Sequence, residues 1–124
     1  MLLFHSMGGE LVTGAGGLRK RLDEAVVLQA TVAQLAKDLD EPGLRVPLVG
    51  EEAFEAVRAQ VVEVLAARQA SGAGGLSRAV NRVDLTEPQV DRALAEGGLP
   101  GLAGLMVLRC LQKVLLREHF AGRA

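Results

Sequence analysis

An all-α domain, a small bundle of four or five helices, is predicted by three features of this 124-residue chain. Gly- and Pro-rich breaks cut it into stretches of helical length. Within those stretches apolar residues recur mostly at spacings of three and four, the repeat of one helix face. Only 2% of the residues are aromatic, with no Trp and no Tyr, so the core is left to Leu, Val and Ala. Sandwich and barrel strands usually draw on Tyr, Phe, Trp, Ile and Thr, in which this composition is poor. At 49% hydrophobic and 23% charged, with mean hydropathy +0.24, the chain has the matter for a core. Its length suits one domain, expected over residues 18–124 behind a flexible N-terminal segment, residues 1–17.

The first helix is expected from Leu18 to about Leu39, with Leu18, Leu22, Ala25, Val26, Val32, Leu35, Ala36 and Leu39 on its apolar face. Glu41-Pro42-Gly43 ends it, because Pro lacks an N–H and clashes with the preceding turn. Leu44 to Val49 alternates, but Pro47 reduces it to an extended linker or short edge strand. A second helix follows from Glu51 to about Gln69, with Phe54, Val57, Val61, Val64 and Leu65 along one side. Glu51, Glu52 and Glu55 crowd its first turn, at the positive end of the helix dipole. Residues 71–75 read as a second mobile break.

A short helix is predicted over Leu76–Val83, then another from Thr86 to about Glu96. Thr86-Glu87-Pro88-Gln89 has the capping-box form, with Pro in the first turn where it is tolerated. Gly97-Gly98-Leu99-Pro100-Gly101 closes that helix and launches the last, from about Leu102 to Phe120. Between Leu102 and Leu111 only Arg109 is charged, so this helix is apolar nearly all round and belongs at a bundle centre or in an oligomer interface. Leu105, Leu108, Cys110 and Leu111 are its expected contacts with a second copy. Residues 14–18 and 72–76 are identical, Gly-Ala-Gly-Gly-Leu, and read as two linkers of one composition rather than a duplication.

Net charge is −1, from 14 basic and 15 acidic residues, which removes the footprint of a strongly basic nucleic-acid binder. Only residues 99–124 are basic. A lone cysteine, Cys110, forbids an intrachain disulfide, and a cytoplasmic home is expected. The N-terminus lacks the basic and long apolar regions of a signal peptide, and no run of about 18 uncharged apolar residues marks a membrane span. No cofactor, and no metal site built on His5 or His119, is expected.

Three short resemblances bear on function. Val12-Thr13-Gly14-Ala15-Gly16-Gly17-Leu18 resembles the glycine-rich turn of short-chain dehydrogenases, but the third glycine is missing and no acid-tipped second strand follows. Glu51-Glu52-Ala53-Phe54-Glu55 looks like half of the metal-binding motif of the all-α nucleotide pyrophosphohydrolases, whose carboxylates hold Mg²⁺ against a triphosphate. The partner half is absent in register.

Ser77 to Leu94 resembles the helix-turn-helix of bacterial regulators. That resemblance implies Ala79, Val80 and Val83 on the inner face of the first helix, Leu85 in the turn, and Val90 and Leu94 inside the second. Arg78 and Arg82 would then touch the DNA backbone, and Gln89 and Arg92 would read base edges. Against this, Glu87, Asp91 and Glu96 outweigh Arg92 on the helix that must enter a field of phosphates. The leading reading is a non-enzymatic protein acting through protein contact, as a homodimer and with an unidentified protein. A DNA-binding regulator is the alternative, and a metal-dependent nucleotide hydrolase the third.

Overall fold

The structure, a computed structural model, describes residues 15–72 and 74–121. Most of the segment expected to be flexible, residues 1–17, lies outside them. Among the described residues there are five α-helices and no strand: α1 (Ala15–Lys20), α2 (Ala25–Asp38), α3 (Ala53–Ala70), α4 (Gly75–Val83) and α5 (Glu87–Ala121). The all-α bundle expected from the sequence is the observed fold.

The expected first helix is two helices, joined by a 3₁₀ turn at Arg21–Asp23. The chain turns extended at Glu24, whose N–H bonds back to the Arg21 carbonyl at 3.1 Å while its carboxylate holds the Arg21 guanidinium at 2.7 Å. This break changes which residues face the core. Leu18 and Leu22 are buried, as are Val27, Leu28, Thr31, Val32, Leu35 and Leu39. Residues six apart, such as Leu22 and Leu28, lie on different sides of an unbroken helix. Breaking the helix lets both stripes face the same core. The cost falls on Val26, assigned to the apolar face by its spacing but 71% exposed, and on Ala25, also exposed.

α2 ends in a Schellman arrangement: Asp40 takes a left-handed conformation, and the Glu41 N–H reaches the Ala36 carbonyl at 2.8 Å. Arg68 of α3 covers the end of this helix by donating to the Leu39 carbonyl. Residues 44–49 then run extended without pairing. The Gln60 side chain stands in for a neighbouring strand, accepting from the Arg45 N–H at 2.9 Å and donating to its carbonyl at 2.8 Å. Leu44 packs toward the core, whereas Leu48 is 92% exposed, flanked by exposed Val46 and Val49.

α5 is two arms about a non-helical residue, Gly98, at φ 62° and ψ −150°. Only Gly adopts that combination without strain, and Pro100 disfavours helical geometry at Leu99. The second arm, residues 99–121, is the central helix. Leu102, Ala103, Met106, Val107, Cys110 and Leu111 are buried against α2 and α3, its two largest neighbours. Within a single chain the last helix is therefore covered on most sides. No run of 18 uncharged residues exists, yet α5 has the length and composition of a membrane-crossing helix, and half of that apolar window is buried within the domain.

The first arm, residues 87–97, contains no buried residue. Val90, Ala93 and Leu94 are half-buried. Its start is the predicted capping box: the Thr86 N–H donates to Gln89 Oε1 at 3.0 Å and the Gln89 N–H to Thr86 Oγ1 at 3.3 Å. The turn before it is closed by a second left-handed aspartate, Asp84, with the Leu85 N–H on the Val80 carbonyl at 3.4 Å.

Candidate functional site

The loosely held arm at residues 87–97 has a concavity on each side. Toward α4 lies a groove of about 420 Å³, floored by Leu76, Val80, Leu85, Val90 and Leu94, with Ser77, Asn81, Glu87 and Asp91 at its rim. Ala79 and Val83 of the helical hairpin are fully buried behind it. The helix-turn-helix spacing thus names the right inner positions, but Val80, Val90 and Leu94 are only partly covered.

On the opposite side of the arm lies a cleft of about 470 Å³. Its floor is apolar, with Ala93, Leu105 and Leu108 and the side-chain-free surfaces of Gly101 and Gly104. A Cβ on Gly101 would stand 2.6 Å from the Ala93 carbonyl oxygen, so the two arms approach this closely only because the residue is glycine. Three arginines line the cleft as well: Arg19 from α1, Arg58 from α3 and Arg92 from the first arm. Arg19 lies over the Phe54 ring at 4.1 Å, and Arg58 approaches the same ring at 5.7 Å while pairing with Glu55. Arg19 and Arg92 form no hydrogen bond or ion pair with any described residue.

Of the four residues proposed to contact DNA, all exposed, two line the cleft. Arg78 and Arg82 are exposed on α4 and line neither concavity. Gln89 and Arg92 belong to the arginine-lined cleft, and the Gln89 carbonyl oxygen is occupied by the Thr86 cap.

The four proposed dimer contacts divide as well. Leu105 and Leu108 line the cleft and remain partly accessible, whereas Cys110 and Leu111 are fully buried in the chain's own core. The acidic cluster does not assemble on one helix. Glu51 and Glu52 precede α3, Glu55 is taken by Arg58, and no group of three or more metal-binding side chains occurs among the described residues. Of the two histidines, His5 lies outside the described residues, and His119 packs edge-on against Phe120 at 5.3 Å.

A polar cluster joins α2 and α5. Lys113 Nζ donates to Asp38 Oδ2 at 2.6 Å and pairs with Asp84 Oδ2 at 3.1 Å, tying the hairpin turn to the bundle. Gln34 donates to Asp38 Oδ1 at 2.9 Å, and Arg117 donates to Gln34 Oε1 at 2.5 Å. The Cys110 thiol lies 3.6 Å from Asp38 Oδ2. Burial, reinforced by the Asp38 charge, pushes that thiol up to about 12. Burial alone would lower Lys113; its hydrogen bonds to Asp38 and Asp84 overcome this and raise it. The cluster is a structural fastening, with every buried side-chain polar atom among the described residues hydrogen-bonded. Its i, i+4 steps from Gln34 to Asp38 and from Arg109 through Lys113 to Arg117 are visible in the sequence, but their meeting across two helices is not.

Fold and site together define a small all-α bundle that presents a helical hairpin, with an apolar groove and an arginine-lined cleft on either side of one helix. Compared with known protein families, curated proteins and solved structures, the chain matches none.

Proposed function

We propose that this is a non-enzymatic protein that works through protein contact and pairs with itself. The reading rests on an open apolar groove and an uncovered apolar segment in the same chain. The groove along the 76–94 hairpin is floored by five aliphatic side chains, and residues 46–49 carry Val46, Leu48 and Val49 into solvent. Apolar surface exposed in this way gains free energy when a partner covers it. Charge favours the pairing too: Glu87 and Asp91 rim the groove, and Arg45 adjoins the exposed segment.

In the proposed homodimer, residues 44–49 of each copy lie in the hairpin groove of the other, so the two contacts repeat about one two-fold axis. This moves the expected interface away from Leu105 and Leu108 of the last helix. The helix-turn-helix reading is less well supported, since Glu87, Asp91 and Glu96 outweigh Arg92 on the helix that would meet the phosphates.

The test is sedimentation of the full chain at micromolar concentration, alongside Leu48→Glu. Leu48 is so exposed that its replacement leaves the fold intact. The expected result is a dimeric parent and a folded, monomeric variant. A monomeric parent, or a variant that pairs as well as the parent, overturns the proposal.

A further inference from the structure

The cleft on the far side of the 87–97 arm carries a different chemistry from the groove. Three arginines from three separate elements line it, and Glu96 is the one acid among its described lining residues. Arg58 is already paired with Glu55, so it contributes field more than free donors. Among the described residues, neither Arg19 nor Arg92 has a side-chain hydrogen bond or ion pair. The Arg19 guanidinium carbon lies 4.1 Å from the centre of the Phe54 ring, and a guanidinium packed on a ring through its face keeps its in-plane N–H groups for an anion. Beneath these groups the floor is apolar, built by Leu105, Leu108 and Ala93 and deepened by Gly101 and Gly104. A volume of about 470 Å³ falls within the range of small-molecule sites.

The geometry points to a binding site for a small amphipathic anion, a carboxylate with an aliphatic body. The carboxylate lies between the forks of Arg19 and Arg92, and the hydrocarbon covers Leu105 and Leu108. A guanidinium matches a carboxylate with two parallel hydrogen bonds, and among the described residues neither arginine has a partner to give up in making them. The aliphatic chain gains by leaving water for a floor that already lacks polar side chains. The site is independent of self-pairing, because groove and cleft use opposite sides of the same arm.

Decanoate is the probe, titrated calorimetrically into the full chain below its micelle-forming concentration. The expected result is saturable binding of one decanoate per chain. Acetate has the head without the tail, and decyltrimethylammonium has the tail with the opposite charge. Both are expected to bind at least about tenfold more weakly. Arg92→Gln changes an exposed side chain with no hydrogen bond or ion pair to a described residue, so it is expected to melt like the parent while losing about tenfold in decanoate affinity. Leu108→Glu places a like charge on the floor and is expected to abolish binding. Absence of saturable decanoate binding, equal affinity for decyltrimethylammonium, or unchanged affinity in a folded Arg92→Gln overturns the assignment. A monomeric parent that still binds decanoate would separate this site from the dimer proposal.

Discussion

Cys110 shows how an unremarkable residue becomes a reporter of folding. Its thiol is fully buried between α2 and the central arm of α5, beside the Asp38 carboxylate. Both burial and the neighbouring charge oppose the thiolate, and they hold the folded-state value at about 12. An unfolded thiol ionises near pH ~8.5. The folded state therefore keeps its proton over a window in which the unfolded state loses one. The contribution to stability is complete below about pH 8.5 and is lost as pH rises toward about 12. Lys113 is also raised, so its contribution likewise fades only beyond the ordinary lysine range. Denaturant midpoints measured from neutral to alkaline pH are expected to fall, and Cys110→Ala is expected to flatten the early part of that fall. An unchanged slope in the variant would show that the thiol does not carry it. Iodoacetamide is expected to spare Cys110 in the native chain and to modify it only on unfolding.

Among the elements, the hairpin was the most legible in sequence and yet differs most in its energetics. Ala79, Val83 and Leu85 are buried where the spacing puts them, and Thr86 and Gln89 form the capping box that their separation predicts. Val90 and Leu94, the inner face of the second helix, meet an open groove instead of a core. A charge at Val90 therefore retains access to water, whereas one at fully buried Val83 does not. Val83→Asp is expected to cost several kcal/mol, about 3 or more, and Val90→Asp only about 1. Chemical denaturation of the two variants checks this, and equal losses would mean that the groove is closed in solution. The first helix teaches a complementary lesson. Periodicity alone drew one apolar stripe through Val26, but the 3₁₀ turn at Arg21–Asp23 re-phased the chain and left Val26 exposed. A three-residue break tied by an Arg21–Glu24 pair is too weak a signal to read beside a nearly continuous apolar repeat.

Over the whole molecule, the Leu102–Leu115 stretch of α5 is largely covered by α2 and α3. Besides Val26, Leu116 and Phe120, uncovered apolar surface lies at residues 46–49 and along the hairpin groove. If these meet in a dimer, association adds to folding free energy by mass action. The melting temperature of the parent is then expected to rise with protein concentration, and that of Leu48→Glu to stay constant. A parent whose melting temperature is independent of concentration would argue against pairing.

The sequence by itself determined the fold class, the helical regions after Glu51 to within a few residues, the Pro42 and Gly98 stops and the Thr86 cap. All of these depend on neighbours within a turn or two: spacing on one face, a missing N–H, a glycine-only backbone angle. Only the tertiary structure decided that Arg19, Arg58 and Arg92 share one cleft, that Lys113 joins Asp38 to Asp84, and that Leu48 is left in water. Arg19 and Arg92 are more than seventy positions apart in sequence. Their meeting depends on where the chain bends at Glu24 and Gly98 and on which face each bend then presents, and no local pattern records that sum.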